Sequence, residues 1–73
     1  MSKLQLLYFK VLDWSYENDQ RFHDLENAVK ECYLGETQLT ELVEYIEGLH
    51  DSTKNKQDKQ FLNSLLKFII DPV

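Results

Sequence analysis

The sequence predicts an all-α protein, a compact bundle of four short helices, and three observations support this fold class. Apolar residues recur at helical spacing in four separate segments of the chain. Two Gly and one Pro in 73 residues are too few for the closely spaced turns of an all-β chain. A chain of this length is also too short for layered sheets and helices, so we expect one helical domain over residues 1–73. Three helices plus a short arm is the alternative arrangement.

The first predicted helix runs from Lys3 to about Tyr16 and is apolar around most of its circumference. Leu6 and Phe9 lie on the flanks of its main apolar stripe. Two interpretations fit this pattern: the helix is central in the bundle and contacted from two sides, or its second face binds a partner or a second copy of the chain. The stripe itself consists of Leu4, Leu7, Tyr8, Val11, Leu12 and Ser15.

The second predicted helix follows Asn18 and Asp19, both of which are good N-cap residues. Gly35 stands just beyond the last apolar position, where a left-handed residue commonly ends a helix. Cys32 lies on the apolar stripe, so we expect a small core residue rather than a reactive thiol. The stripe contains Phe22, Leu25, Val29, Cys32 and Tyr33.

Thr37 is predicted to cap the third helix, which carries glutamates on its outer positions. Gly48 falls inside the helical pattern, where a glycine costs roughly 1 kcal/mol relative to alanine. It marks either a weak point or a close helix contact. The apolar stripe of this helix contains Leu39, Leu42, Val43, Ile46 and Leu49.

A polar stretch at residues 51–57 is the one linker-like composition in the sequence, and we place the boundary between the third and fourth helices there. In the alternative, the flanking helices extend into this stretch and shorten the loop. Asn55 followed by Asp58 offers an N-cap for the last helix. That helix ends at Asp71 and Pro72. Its stripe contains Phe61, Leu62, Leu65, Phe68 and Ile69.

Candidate catalytic and metal-binding residues are few. His23 precedes Glu26 by three residues, whereas a carboxylate-bridged metal site in a bundle uses the order Glu-x-x-His on two helices. The sequence has no CxxC pair, no phosphate-binding loop, no GxSxG and no HExxH motif. We therefore predict no enzyme activity, no cofactor and no metal. A small metal or thiol enzyme that uses His23, Cys32 and His50 is the least favoured hypothesis.

The net charge of −5 is distributed unevenly. Eleven acidic and two basic residues lie between Asp13 and Asp51, and both ends of the chain are weakly basic. This middle segment repels the phosphates of nucleic acids and membranes and favours encounter with a basic partner. The basic cluster of Lys54, Lys56 and Lys59 is interpreted as a solvated loop. A single cysteine and the lack of an apolar run of about 18 residues predict a cytoplasmic protein with no direct nucleic-acid or membrane contact.

Carboxylates of the third helix and aromatic residues at the end of the first helix form the predicted binding surface. Trp and Tyr are enriched among the residues that dominate interface energies. We predict a non-catalytic protein–protein interaction module, a small acidic regulator, inhibitor or immunity-like protein that binds and blocks a larger partner with a basic surface. The alternatives are a homodimeric structural module that associates through the first helix, and an acidic face that only keeps the protein in solution. The predicted partner-binding residues are Trp14, Tyr16, Glu41, Glu44, Glu47 and Asp51.

Overall fold

A computed structural model of the protein describes residues 2–18 and 22–71. Within these residues it contains four α-helices and no β-strand. The predicted all-α class with four short helices is confirmed, and the alternative of three helices plus an arm is wrong because the fourth helix has 15 residues. The helices are α1 (Lys3–Glu17), α2 (His23–Tyr33), α3 (Leu39–Ser52) and α4 (Lys56–Ile70). In the described ranges, none of them is both long and apolar enough to cross a membrane.

Contacts divide the chain into two helix pairs. The unit Met1–Gln38 contains α1 and α2, and the unit Leu39–Val73 contains α3 and α4. The two helices of each pair pack against each other. The expectation of a single domain over residues 1–73 stays a prediction.

A capping box starts α1. The Ser2 Oγ accepts a hydrogen bond from the backbone N–H of Gln5 at 3.2 Å, and the Ser2 backbone N–H donates to Gln5 Oε1 at 3.0 Å. The buried residues of this helix recur every fourth position along the predicted stripe. Leu12 belongs to the predicted stripe but is 36% exposed, because it lies about 100° around the axis from its buried neighbour. The buried residues are Leu7, Val11 and Ser15.

The start of α2 differs from the prediction. Its N-cap is Phe22, which precedes the helix and forms no side-chain capping hydrogen bond. Asn18 is instead the C-cap of α1, and its Nδ2 donates to the Trp14 carbonyl oxygen at 2.8 Å. The prediction of Asn18 as the N-cap of the second helix is wrong because its amide closes the preceding helix. Asp19, the other predicted cap, lies outside the described residues.

The end of α2 is a Schellman motif. Gly35 has a φ of +82°, as its predicted position beyond the helix requires. Its backbone N–H donates to the Cys32 carbonyl at 3.1 Å, and the Glu36 N–H donates to the Glu31 carbonyl at 2.9 Å. These two bonds satisfy carbonyls that the helix leaves without an internal partner.

The connection between α3 and α4 is shorter than the predicted boundary region. Since α3 continues to Ser52 and α4 starts at Lys56, residues 53–55 suffice to join them, and the alternative with extended helices is confirmed. Asn55 is the N-cap of α4, as predicted. Its Oδ1 accepts hydrogen bonds from the backbone N–H groups of Gln57 at 2.9 Å and Asp58 at 3.1 Å. So short a connection makes the two helices antiparallel neighbours.

Two predictions for α3 need correction. The helix begins at Leu39, so a cap at Thr37 is one residue too early. Gly48 lies inside the helix and is exposed, and a Cβ atom built on it would meet no atom within 4 Å. The interpretation of Gly48 as a close helix contact is therefore wrong, and the interpretation as a weak point in the helix remains.

The remaining buried residues lie on the predicted stripes, with one charged addition. Asp58 is buried at the third position of α4, where the positive end of the helix dipole stabilises a carboxylate. Cys32 is buried in α2, as expected of a core residue. The buried apolar residues of the last three helices are Leu25, Val29, Cys32, Leu42, Ile46, Leu62 and Leu65.

Candidate protein-binding surface

Four carboxylates run along the exterior of α3, and we call them the α3 carboxylate row: Glu41, Glu44, Glu47 and Asp51. All four residues are exposed. Glu44, Glu47 and Asp51 follow one another at spacings of three and four residues, so their side chains are neighbours on the helix surface. Glu41 lies in the first turn, where the helix dipole favours a negative charge.

The α3 carboxylate row receives little compensation from positive charge. Within residues 2–18 and 22–71, the structure shows no Lys or Arg side chain in an ion pair with these four residues. Asp51 has a neighbour in His50, whose Nδ1 lies 3.3 Å from Asp51 Oδ1. Neighbouring like charges lower the stability of a helix by a few tenths of a kcal/mol per pair. The row is therefore a local cost in stability and a surface that attracts cations.

A groove borders the α3 carboxylate row, and we call it the α3–α4 groove. It has a volume of about 430 Å³ and is open to solvent. Two of its apolar residues are well exposed, Leu39 at 45% and Ile70 at 69%. Exposed apolar surface with a polar rim is typical of interaction sites. The lining residues are Leu39, Thr40, Val43, Glu44, Glu47, Ile69 and Ile70.

The predicted site residues are found on both helix pairs. Trp14 and Tyr16 belong to the unit Met1–Gln38, and the α3 carboxylate row belongs to the unit Leu39–Val73. Tyr16 is 79% exposed near the end of α1. Trp14 is partly buried, and its carbonyl accepts the capping bond from Asn18. In the second unit, Glu44 and Glu47 lie together in the lining of the α3–α4 groove.

The apolar residues of the α3–α4 groove are missing from the predicted site. Val43 and Ile69 lie on predicted core stripes, yet both are only partly buried and line the groove. Ile70 widens the stripe of the last helix, and Leu39 is the first residue of α3. The sequence does contain a signal for these exposed apolar residues. The apolar stripe of the last helix, like that of the first, is wider than one packed helix can cover.

A second groove lies within the first helix pair, between the beginning of α1 and the end of α2. It has a volume of about 250 Å³ and is largely apolar. The rings of Tyr8 and Phe9 are tilted by 54° with centroids 6.1 Å apart. Lys30 supplies the one positive charge among its lining residues. These residues are Gln5, Tyr8, Phe9, Lys30, Tyr33 and Leu34.

The two histidines each contact a neighbouring carboxylate. His23 Nδ1 lies 3.4 Å from Glu26 Oε2, one turn along α2. His50 contacts Asp51 in the last turn of α3, where the helix dipole favours a positive charge. Cys32 is buried. Within the described ranges, no three His, Cys, Asp or Glu side chains are grouped as metal ligands would be.

Comparisons of the chain with protein-family models, with curated proteins and with solved structures find no match. A functional interpretation therefore depends on the surfaces of the two helix pairs. Of these surfaces, the α3–α4 groove with its carboxylate rim combines exposed apolar area with uncompensated charge, the two properties that protein recognition uses most.

Proposed function

We propose that this protein is a non-catalytic protein–protein interaction module, a small acidic regulator, inhibitor or immunity-like protein that binds and blocks a larger protein with a basic surface. The observation that carries the proposal is the α3 carboxylate row, exposed along its length and, in the described part of the chain, not paired with Lys or Arg. An interaction partner would supply the missing positive charge.

The mechanism has an electrostatic step and a contact step. The net charge of −5 and the concentration of carboxylates on α3 orient a basic partner before contact, which raises the association rate at low ionic strength. Apolar and aromatic side chains then lose water at the interface and slow dissociation. Tyr16, at 79% exposure, and the apolar residues of the α3–α4 groove are available for this second step.

Affinity capture from native lysate tests the proposal with a matched pair of variants. Glu44→Lys/Glu47→Lys reverses two charges in the row, and Glu31→Lys/Glu36→Lys reverses two exposed charges in the first unit. We expect a protein that the unmodified chain and the control variant retain, that the row variant loses, and that is released by moderate salt. If both variants retain a protein equally, or if no protein is retained, the α3 carboxylate row does not take part in binding and the proposal is wrong.

Self-association through the first helix is the second candidate function, and a specific observation favours it. Phe9, Leu12 and Tyr16 recur at spacings of three and four residues on α1, and all three are exposed. A two-fold dimer would bury the same face of both copies. In such a dimer the same α1 face of each copy forms the interface, and the carboxylates of α3 take no part in it.

Sedimentation equilibrium over a range of concentrations tests this second function. Tyr16→Glu introduces a charge into the exposed face of α1 at a residue that does not line the second groove, and Leu34→Glu is a control at another exposed apolar position of the same unit. A dimer that Tyr16→Glu dissociates and Leu34→Glu leaves intact supports association through α1. A monomer at every concentration, with helical content unchanged, excludes it.

A further inference from the structure

The α3–α4 groove follows one face of α3 for more than two turns. Its α3 residues, from Leu39 to Glu47, occupy positions i, i+1, i+4, i+5 and i+8 and span about 12 Å along the helix axis. At the end of α4, Ile69 and Ile70 form the remaining wall. A groove of this length accommodates two side chains from successive turns of another helix, which lie about 5–6 Å apart.

The chemistry of the groove changes from apolar to acidic around the α3 axis. Starting from the buried Ile46, the next positions outward are Val43, Glu47 and Glu44, in steps of about 40–60° at 3.6 residues per turn. Val43 is partly buried, and the two glutamates are exposed. The α4 wall is apolar. A ligand that fills this groove therefore meets negative charge along one edge and hydrocarbon along the other.

We infer that the α3–α4 groove binds a basic amphipathic helix of the partner protein. Apolar side chains of that helix pack on Val43 and Ile70, and Lys or Arg residues along one flank of its apolar stripe pair with Glu44 and Glu47. Since the two glutamates are one turn apart, cations spaced by three or four residues match them. The inference rests on the proposed function and specifies the chemistry of the partner.

Other occupants fit the groove less well. Anionic small molecules and nucleic acids meet the repulsion of Glu44 and Glu47. An extended peptide that binds by strand addition needs an exposed strand edge, and residues 2–18 and 22–71 contain no strand. A second copy of this chain carries the same net charge of −5, which opposes its approach.

Calorimetric titration of the full chain with synthetic peptides tests the inference. The probe is a peptide of roughly 15 residues, long enough to hold a helix, with Leu at helical spacing and Lys along one flank of the Leu stripe. One control peptide replaces Lys by Glu, and another places the same Leu and Lys residues in scrambled order. We expect the first peptide to bind at low salt, and both controls to bind at least tenfold more weakly because they lose either charge complementarity or the apolar stripe.

Variants of the chain locate the binding site. Ile70→Ser changes a residue that is 69% exposed and adds no charge to the groove, so the fold tolerates it and only apolar contact is lost; Leu34→Ser is a matched control on the first unit. We expect about a tenfold loss of peptide affinity for Ile70→Ser and no change for Leu34→Ser. Glu44→Gln/Glu47→Gln should weaken binding and flatten its salt dependence, whereas Glu31→Gln/Glu36→Gln should leave both unchanged.

The outcomes separate this inference from the proposed function. If lysate capture depends on Glu44 and Glu47 but Ile70→Ser changes neither capture nor peptide affinity, the protein binds a partner elsewhere and the groove inference is wrong. Equal affinity for the amphipathic and scrambled peptides also overturns it. If sedimentation shows a dimer that Ile70→Ser dissociates, the groove belongs to a contact between two copies, which contradicts a basic partner helix.

Discussion

Replacing Gly48 by alanine should stabilise the protein by about 1 kcal/mol. The residue lies inside α3, four residues before the helix ends, and its backbone is helical. A methyl group at this position meets no atom within 4 Å, so the substitution adds no steric clash. The gain comes from the smaller conformational entropy of alanine in the unfolded chain. For a domain of this size, 1 kcal/mol corresponds to a rise in the melting temperature of about 4–8 °C.

Far-UV circular dichroism during thermal and urea unfolding measures this effect. A substitution of the other glycine is the control, and its expected effect on stability has the opposite sign. Gly35→Ala should destabilise by about 1 kcal/mol, because φ is +82° there and a Cβ atom is strained in this region. Gly35→Asn should cost less, since asparagine tolerates the left-handed conformation. If Gly48→Ala lowers the midpoint or leaves it unchanged, α3 does not run continuously through residue 48 and the reasoning fails.

Three further changes in stability follow from the buried and capping residues, each measurable by urea unfolding. Ser15→Ala should stabilise by about 1 kcal/mol, because the buried Ser15 hydroxyl has no hydrogen-bond partner among the described residues; a loss of stability would reveal such a partner. Asn55→Ala should cost about 1 kcal/mol by removing the cap of α4, whereas Asn55→Ser should retain most of it. Ile46→Ala should cost about 2–5 kcal/mol because Ile46 is completely buried, and Val43→Ala, at a partly buried position, should cost clearly less.

The helices were predictable from the sequence because burial follows the apolar period. Val11 and Ile46 are completely buried, and both lie on predicted stripes. The helix boundaries were less predictable, because a capping residue can bond in either direction along the chain. Asn18 is of a residue type that is preferred at N-caps, but its side-chain amide donates a hydrogen bond to the carbonyl of Trp14, earlier in the chain. Asn55 bonds forward, and there the predicted cap is confirmed.

The acidic half of the candidate site was predictable, and the apolar half was predictable only as a stripe too wide for one packing partner. Glu44 and Glu47 share a face by spacing alone, which the sequence displays directly. The pairing of Val43 with Ile70 depends on the length of the connection between α3 and α4. The sequence left open whether the helices stop at the polar stretch 51–57 or extend into it, and the extension of α3 to Ser52 and of α4 from Lys56 sets which residues of α4 lie opposite the start of α3.

A comparison of stability and binding tests whether the α3 carboxylate row is a binding surface or a solubilising one. Solubility requires net charge, which interspersed Lys and Glu side chains supply without repulsion between neighbours. Glu44, Glu47 and Asp51 repel one another along α3 and, in the described structure, pair with no Lys or Arg. Replacing Glu44 and Glu47 by glutamine should therefore raise the stability of the protein by a few tenths of a kcal/mol while it weakens binding to the basic peptide. Opposite signs for this pair, with peptide binding unchanged in Glu31→Gln/Glu36→Gln, would assign binding to the α3 carboxylate row, whereas equal weakening of binding by both pairs would leave the row a solubilising exterior.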